Sequence, residues 1–141
     1  MRRLTTLAML TLLVSGCGGG EAGASETGQV DAVVLRYFSA YARGSGAELC
    51  ALLTRSAQHK MVEVVESDEQ ELGRVSSVRT CLQAVDFLGR VPQAENAKVI
   101  SASIMGANAT VTVKVGSLHA GAVTLSKTAA GWLVDKLPGE A

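Results

Sequence analysis

Apolar positions along this chain recur at two different periods, and the change from one to the other divides it. Val30, Val33, Val34, Tyr37, Phe38 and Tyr41 follow steps of three and four, which predicts an amphipathic helix over Gln29 to Arg43. Gly44 supplies its stop. Ser45-Gly46-Ala47-Glu48 has the form of a capping box, in which serine and glutamate each satisfy the other's backbone N–H. It would open a second helix through Leu49, Cys50, Leu52 and Leu53. Ser56 is the expected cap of a third segment carrying Met61, Val62, Val64 and Val65. Glu66, Asp68, Glu69 and Glu71 then form an acidic break, expected as a solvated loop; the D-x-D-x-D-G pattern of a calcium loop is absent. Ser76 or Ser77 would cap a further helix with Val78, Cys81, Leu82, Val85 and Leu88 on one face. Gly89 ends it and Pro92 follows.

From Lys98 the period becomes two. Val111, Val113 and Val115 alternate with Thr110, Thr112 and Lys114, the pattern of a half-buried strand. Strands are predicted at Lys98–Met105, Thr110–Val115, Ala122–Lys127 and Trp132–Leu137. Turns are expected at Gly106-Ala107-Asn108, His119-Ala120-Gly121 and Ala129-Ala130-Gly131. Helices followed by a short-turned antiparallel meander predict an α+β domain with N-terminal helices packed on the sheet.

The N-terminus reads differently. Met1-Arg2-Arg3 is basic, and Leu4 to Val14 is apolar apart from threonines. A membrane-spanning helix needs about 20 apolar residues, so this run fits a secretory signal peptide instead. The residues after Arg3 fit a twin-arginine signal poorly. Val14-Ser15-Gly16-Cys17 resembles the bacterial lipobox. That resemblance implies cleavage after Gly16 and a diacylglyceryl, palmitate-type modification of Cys17, placing the protein on the extracytoplasmic face of a membrane. The alternative is a chance cysteine behind an ordinary signal. One acyl chain holds a protein only marginally; two or three anchor it stably. The organisation expected is therefore a signal over 1–16, a lipidated tether over 17–28 and one domain over 29–141. The tether, GGGEAGASETG after Cys17, has an expected r.m.s. span of about 18 Å.

Charge excludes some partners. The chain has 13 basic and 13 acidic residues, and loss of Arg2 and Arg3 leaves 11 basic against 13 acidic. Without a Lys/Arg cluster, this balance gives no basis for nucleic-acid binding. With Cys17 set aside, Cys50 and Cys81 remain. In an exported domain, two cysteines favour one disulfide. Two buried free thiols are the alternative; a metal pair lacks support, because His59 and His119 show no ligand spacing. No metal or cofactor is expected.

Further on, the order "VVLRYFSAYARG", "AELCALLT", "SVRTCLQAV" and finally "VTLSKTAAGWLVDKL" resembles small exported proteins of the nuclear-transport-factor-2-like, or cystatin-like, superfamily. The resemblance implies a curved antiparallel sheet wrapped around helices to form a cone, with paired cysteines. That fold hosts binders and enzymes alike. Its isomerases place a carboxylate in the cone, often beside tyrosine or histidine. Tyr37, Tyr41 and Asp86 are the pocket candidates. His59 and His119 are expected at the surface, and Asp135 is expected to face away from Trp132 and Val134. No isomerase or cyclase spacing recurs, so no catalytic residue carries over. The function expected is a membrane-anchored, non-catalytic module that binds an apolar small molecule or another envelope protein. An isomerase- or hydratase-like enzyme using the cone cavity is the alternative.

Overall fold

A computed structural model describes residues 25–137 of the chain. The expected signal peptide over 1–16, Cys17 and the expected tether over 17–24 lie outside the described residues. The fold is α+β, with helices packed on a four-stranded antiparallel open sheet.

The first helix, α1, covers Glu26–Arg43. It begins three residues before the predicted start and takes in Glu26 to Gly28, which composition alone assigns to the tether. One local and one long-range interaction explain the earlier start. Ser25 accepts a hydrogen bond from the Gly28 N–H at 3.2 Å, and Glu26, favourably placed in the first turn, pairs with Lys127. Val30, Val34, Tyr37 and Phe38 are buried along one face. At Gly44 the backbone turns left-handed, with φ at 65°, so that the Gly44 and Ser45 N–H groups bond back to Tyr41 and Ala40. A Cβ there would also lie 3.1 Å from Arg90 Cγ.

Helix α2 covers Gly46–Ala51. The expected capping box does not form: the Ser45 side chain makes no cap bond, and Glu48 pairs with Arg43 instead. Helix α3 spans Arg55–Glu71 and is capped by Thr54, not Ser56. The acidic break is therefore helical. Acidic residues oppose the dipole at a helix C-terminus, but the buried face through Met61, Val62 and Val65 continues to Glu69, which is 8% exposed. Outside that face, Glu66 pairs with Arg79 at 2.9 Å. Helix α4, Cys81–Leu88, starts later than predicted: Thr80 and Gln83 form its capping box, and the buried Val78 precedes it. Leu82 and Phe87 point outward, while Cys81, Ala84 and Val85 face the core. Cys50 and Cys81 are joined by a disulfide, with Cα atoms 6.0 Å apart. It ties α2 to the first residue of α4. A short 3₁₀ turn, Pro92–Asn96, leads into the sheet.

Strands β1 (Ala97–Met105), β2 (Asn108–Val115), β3 (Gly121–Thr128) and β4 (Gly131–Lys136) pair in chain order. Ala109 pairs with Leu125, Val111 with Val123, and Leu125 with Val134. These buried residues make the inner face, and α1 packs across β1, β2 and β4. Thr110, Thr112 and Lys114 lie on the other face, as alternation requires. Residues 52–54 cover the outer edge of β4. There the Thr54 N–H donates to the Val134 carbonyl, and the Val134 N–H donates to that of Leu52, both at 2.8 Å.

Candidate functional site

Beta strands β2 and β4 run in the same direction, so Val115 and Leu137 emerge at one end of the sheet. The C-terminal half of α1 ends there too. Between them lies an open groove of about 660 Å³. Tyr37, Phe38 and Tyr41 of α1 form one wall, and Met61 and Val64 of α3 form another. Leu88, Val91 and the 3₁₀ turn contribute a third side, and Val115 to Leu118 close the end near Leu137.

Local chemistry shapes each wall. Tyr37 meets Phe38 edge-on, with ring centroids 5.1 Å apart, and stacks on Tyr41 at 6.2 Å. Pro92 starts the 3₁₀ turn, where its missing N–H costs nothing. The Gly116 N–H donates to the Asn96 carbonyl at 3.4 Å, tying the β2–β3 turn to the 3₁₀ turn. None of the lining residues is charged, and none is histidine or cysteine. The floor, including Phe38 and Met61, is buried, whereas Val64 and Leu118 flank the mouth with 43% and 64% exposure. Gln93, Asn96 and Ser117 are exposed at the rim, all on the side formed by the two turns. Burial raises the pKa of the Tyr41 phenol above its ordinary value of 10.0, because the phenolate would lose solvation. Tyr41 therefore presents a neutral hydroxyl through the physiological range.

Of the residues singled out in the sequence, Tyr37 and Tyr41 meet in this groove. Asp86 does not: it is exposed on α4, outside the lining. It stands between Val85 and Phe87 in sequence, but each helical step rotates the side chain by about 100°. Ala84 and Val85 take the inner face, and Asp86 turns to water. His59 is exposed and lies 3.5 Å from Glu63; His119 is exposed after the β2–β3 turn.

Asp135 corrects the simple alternation. Thr124 pairs with Lys136 and Leu125 with Val134, so Asp135 is the extra residue of a bulge. Half-buried, its Oδ1 accepts a 2.8 Å hydrogen bond from the Thr54 hydroxyl. The same Thr54 oxygen accepts from the Ala57 N–H at 3.1 Å. One hydroxyl thus caps α3 and fixes β4.

Sequence reasoning did not find Met61, Val64, Leu88, Val91, Gln93, Asn96, Ser117, Leu118 and Leu137 as one site. A weak signal existed in Leu118, a large apolar residue in an otherwise polar turn. Among the described residues no group of three or more His, Cys, Asp or Glu could hold a metal ion, and no helix is long and apolar enough to cross a membrane. No protein-family model matches the chain, and no significant relative is found among curated proteins.

Proposed function

We propose that the protein is a lipid-anchored extracytoplasmic module, of the nuclear-transport-factor-2-like type, that binds an apolar small molecule without transforming it. The uncharged groove carries this reading. Its volume lies within the roughly 300–1,000 Å³ typical of small-molecule sites, and such sites are mainly apolar with a few polar groups. The order of helices and meander supports the superfamily resemblance, and the Val14–Cys17 sequence supports the anchor.

An isomerase- or hydratase-like enzyme is the competing reading, and Tyr37 and Tyr41 are what favour it. Proton abstraction needs a base within hydrogen-bond reach of the reacting atom. The lining offers no carboxylate or imidazole, and the raised pKa of Tyr41 suits hydrogen-bond donation better than proton abstraction. Native mass spectrometry of protein recovered from the cell envelope is the direct test. A co-purifying small molecule, released unchanged on denaturation, is expected. Absence of any bound molecule, together with turnover of a carbonyl or alkene substrate that Tyr41→Phe abolishes, would replace this reading with the enzymatic one.

A further inference from the structure

The groove is uniform in charge and uneven in polarity, which narrows its ligand. We infer that it takes up an uncharged amphiphile whose hydrogen-bonding head lies at the Gln93, Asn96 and Ser117 rim. This rests on the groove being a binding site, as proposed above.

Charge comes first. A buried ion without a partner is strongly disfavoured, and no lining residue carries a charge that could pair with one. A carboxylate or ammonium head would therefore have to remain in water. A neutral hydroxyl, ester or amide head has no such penalty. It needs donors and acceptors, and these are grouped: the amides of Gln93 and Asn96 and the hydroxyl of Ser117 line the same side. Their side chains have no hydrogen bond to another described residue. Elsewhere in the lining, Phe38, Met61 and Val64 offer only apolar surface. A ligand apolar throughout would leave the polar rim unused, and one polar throughout would be mismatched to the floor.

The exposed pair at the mouth points the same way. Val64 and Leu118 face water across the groove entrance, and a bound chain would cover both.

Calorimetric titration of the full chain carrying Cys17→Ser, with its disulfide intact, tests this using decanol, decanoate and decylammonium below their aggregation limits. Decanol is expected to bind about 2- to 10-fold more tightly than either ion, whose head stays hydrated at the exposed rim instead of bonding to Gln93, Asn96 or Ser117. Asn96→Ala and Gln93→Ala should each weaken decanol by about 2- to 10-fold, the range for one lost hydrogen bond. Met61→Trp, which fills the floor, should abolish binding. Equal affinity for a charged probe would overturn the neutral-ligand inference while leaving the groove a binding site. Decanol binding unaffected by the Asn96 and Gln93 variants would overturn the head position. Binding of none of the probes, with the variants folded by circular dichroism, would count against the groove itself.

Discussion

The bond between Cys50 and Cys81 offers the most quantitative test of how this domain is held together. The cysteines are separated by 31 positions, and the enclosed loop contains all of α3. In the chain-entropy picture, closing a loop of this length removes roughly 12 cal/mol/K from the unfolded ensemble. That corresponds to about 3.7 kcal/mol at 25 °C. A domain of about 110 residues unfolds with an entropy near 0.23 kcal/mol/K, so Tm should fall by about 15 °C on loss of the bond. Both positions are nearly buried, and a serine hydroxyl in place of sulfur adds to the loss. Cys50→Ser, Cys81→Ser and the double variant should melt close together, because either single change already opens the loop. Thermal melts followed by far-UV circular dichroism, with and without reductant, make the comparison. Wild-type protein in reductant should approach the variants, and the variants should not respond to reductant. A fall below about 4 °C, or losses that add in the double variant, would refute the loop-entropy account. It would mean that α3 contacts with α4 and the Thr54–Val134 backbone bonds already restrain the loop in the unfolded ensemble.

Thr54→Val should cost about 2–3 kcal/mol, since it removes the α3 cap and the hydrogen bond to Asp135 together; urea denaturation should show Thr54→Ser largely spared, and equal losses would sink the shared-hydroxyl assignment. Tyr41 contributes stability that is full below its unfolded pKa of about 10 and is lost as pH rises through its higher folded value. Melting between pH 9 and 12 should therefore fall less steeply for Tyr41→Phe than for wild type, and parallel profiles would contradict it. Cys17→Ser should move the protein from the membrane to the soluble fraction on cell fractionation; unchanged membrane association would remove the lipid anchor from the proposed function.

Much of the fold is legible in the sequence because it depends on neighbours along the chain. The three- and four-residue steps from Val30 to Tyr41 place α1's buried face, and Gly44 and Gly89 stop their helices where expected. Alternation of Val111 and Val113 with Thr110 and Thr112 fixes which side of β2 meets the helices. Setting Cys17 apart leaves the pair that the fold joins.

Other features depend on residues distant in sequence. Glu26 joins α1 because Lys127 lies beside it, and Thr54 displaces Ser56 as the cap because its hydroxyl also reaches Asp135. The acidic end of α3 stays helical because Val65 and Glu69 continue a face that packs, which outweighs an unfavourable local charge pattern. Asp135 is re-aimed by one extra residue in β4, which no alternation rule reveals. The groove is the clearest case. Tyr37 alone reads as core, and Gln93, Ser117 and Leu137 alone read as surface or strand end. Only packing at one end of the sheet makes them walls of the same space. Periodicity reports which way a side chain leaves its own backbone, whereas a binding site is the gap left between several backbones, and that gap is set by how the helices and sheet meet.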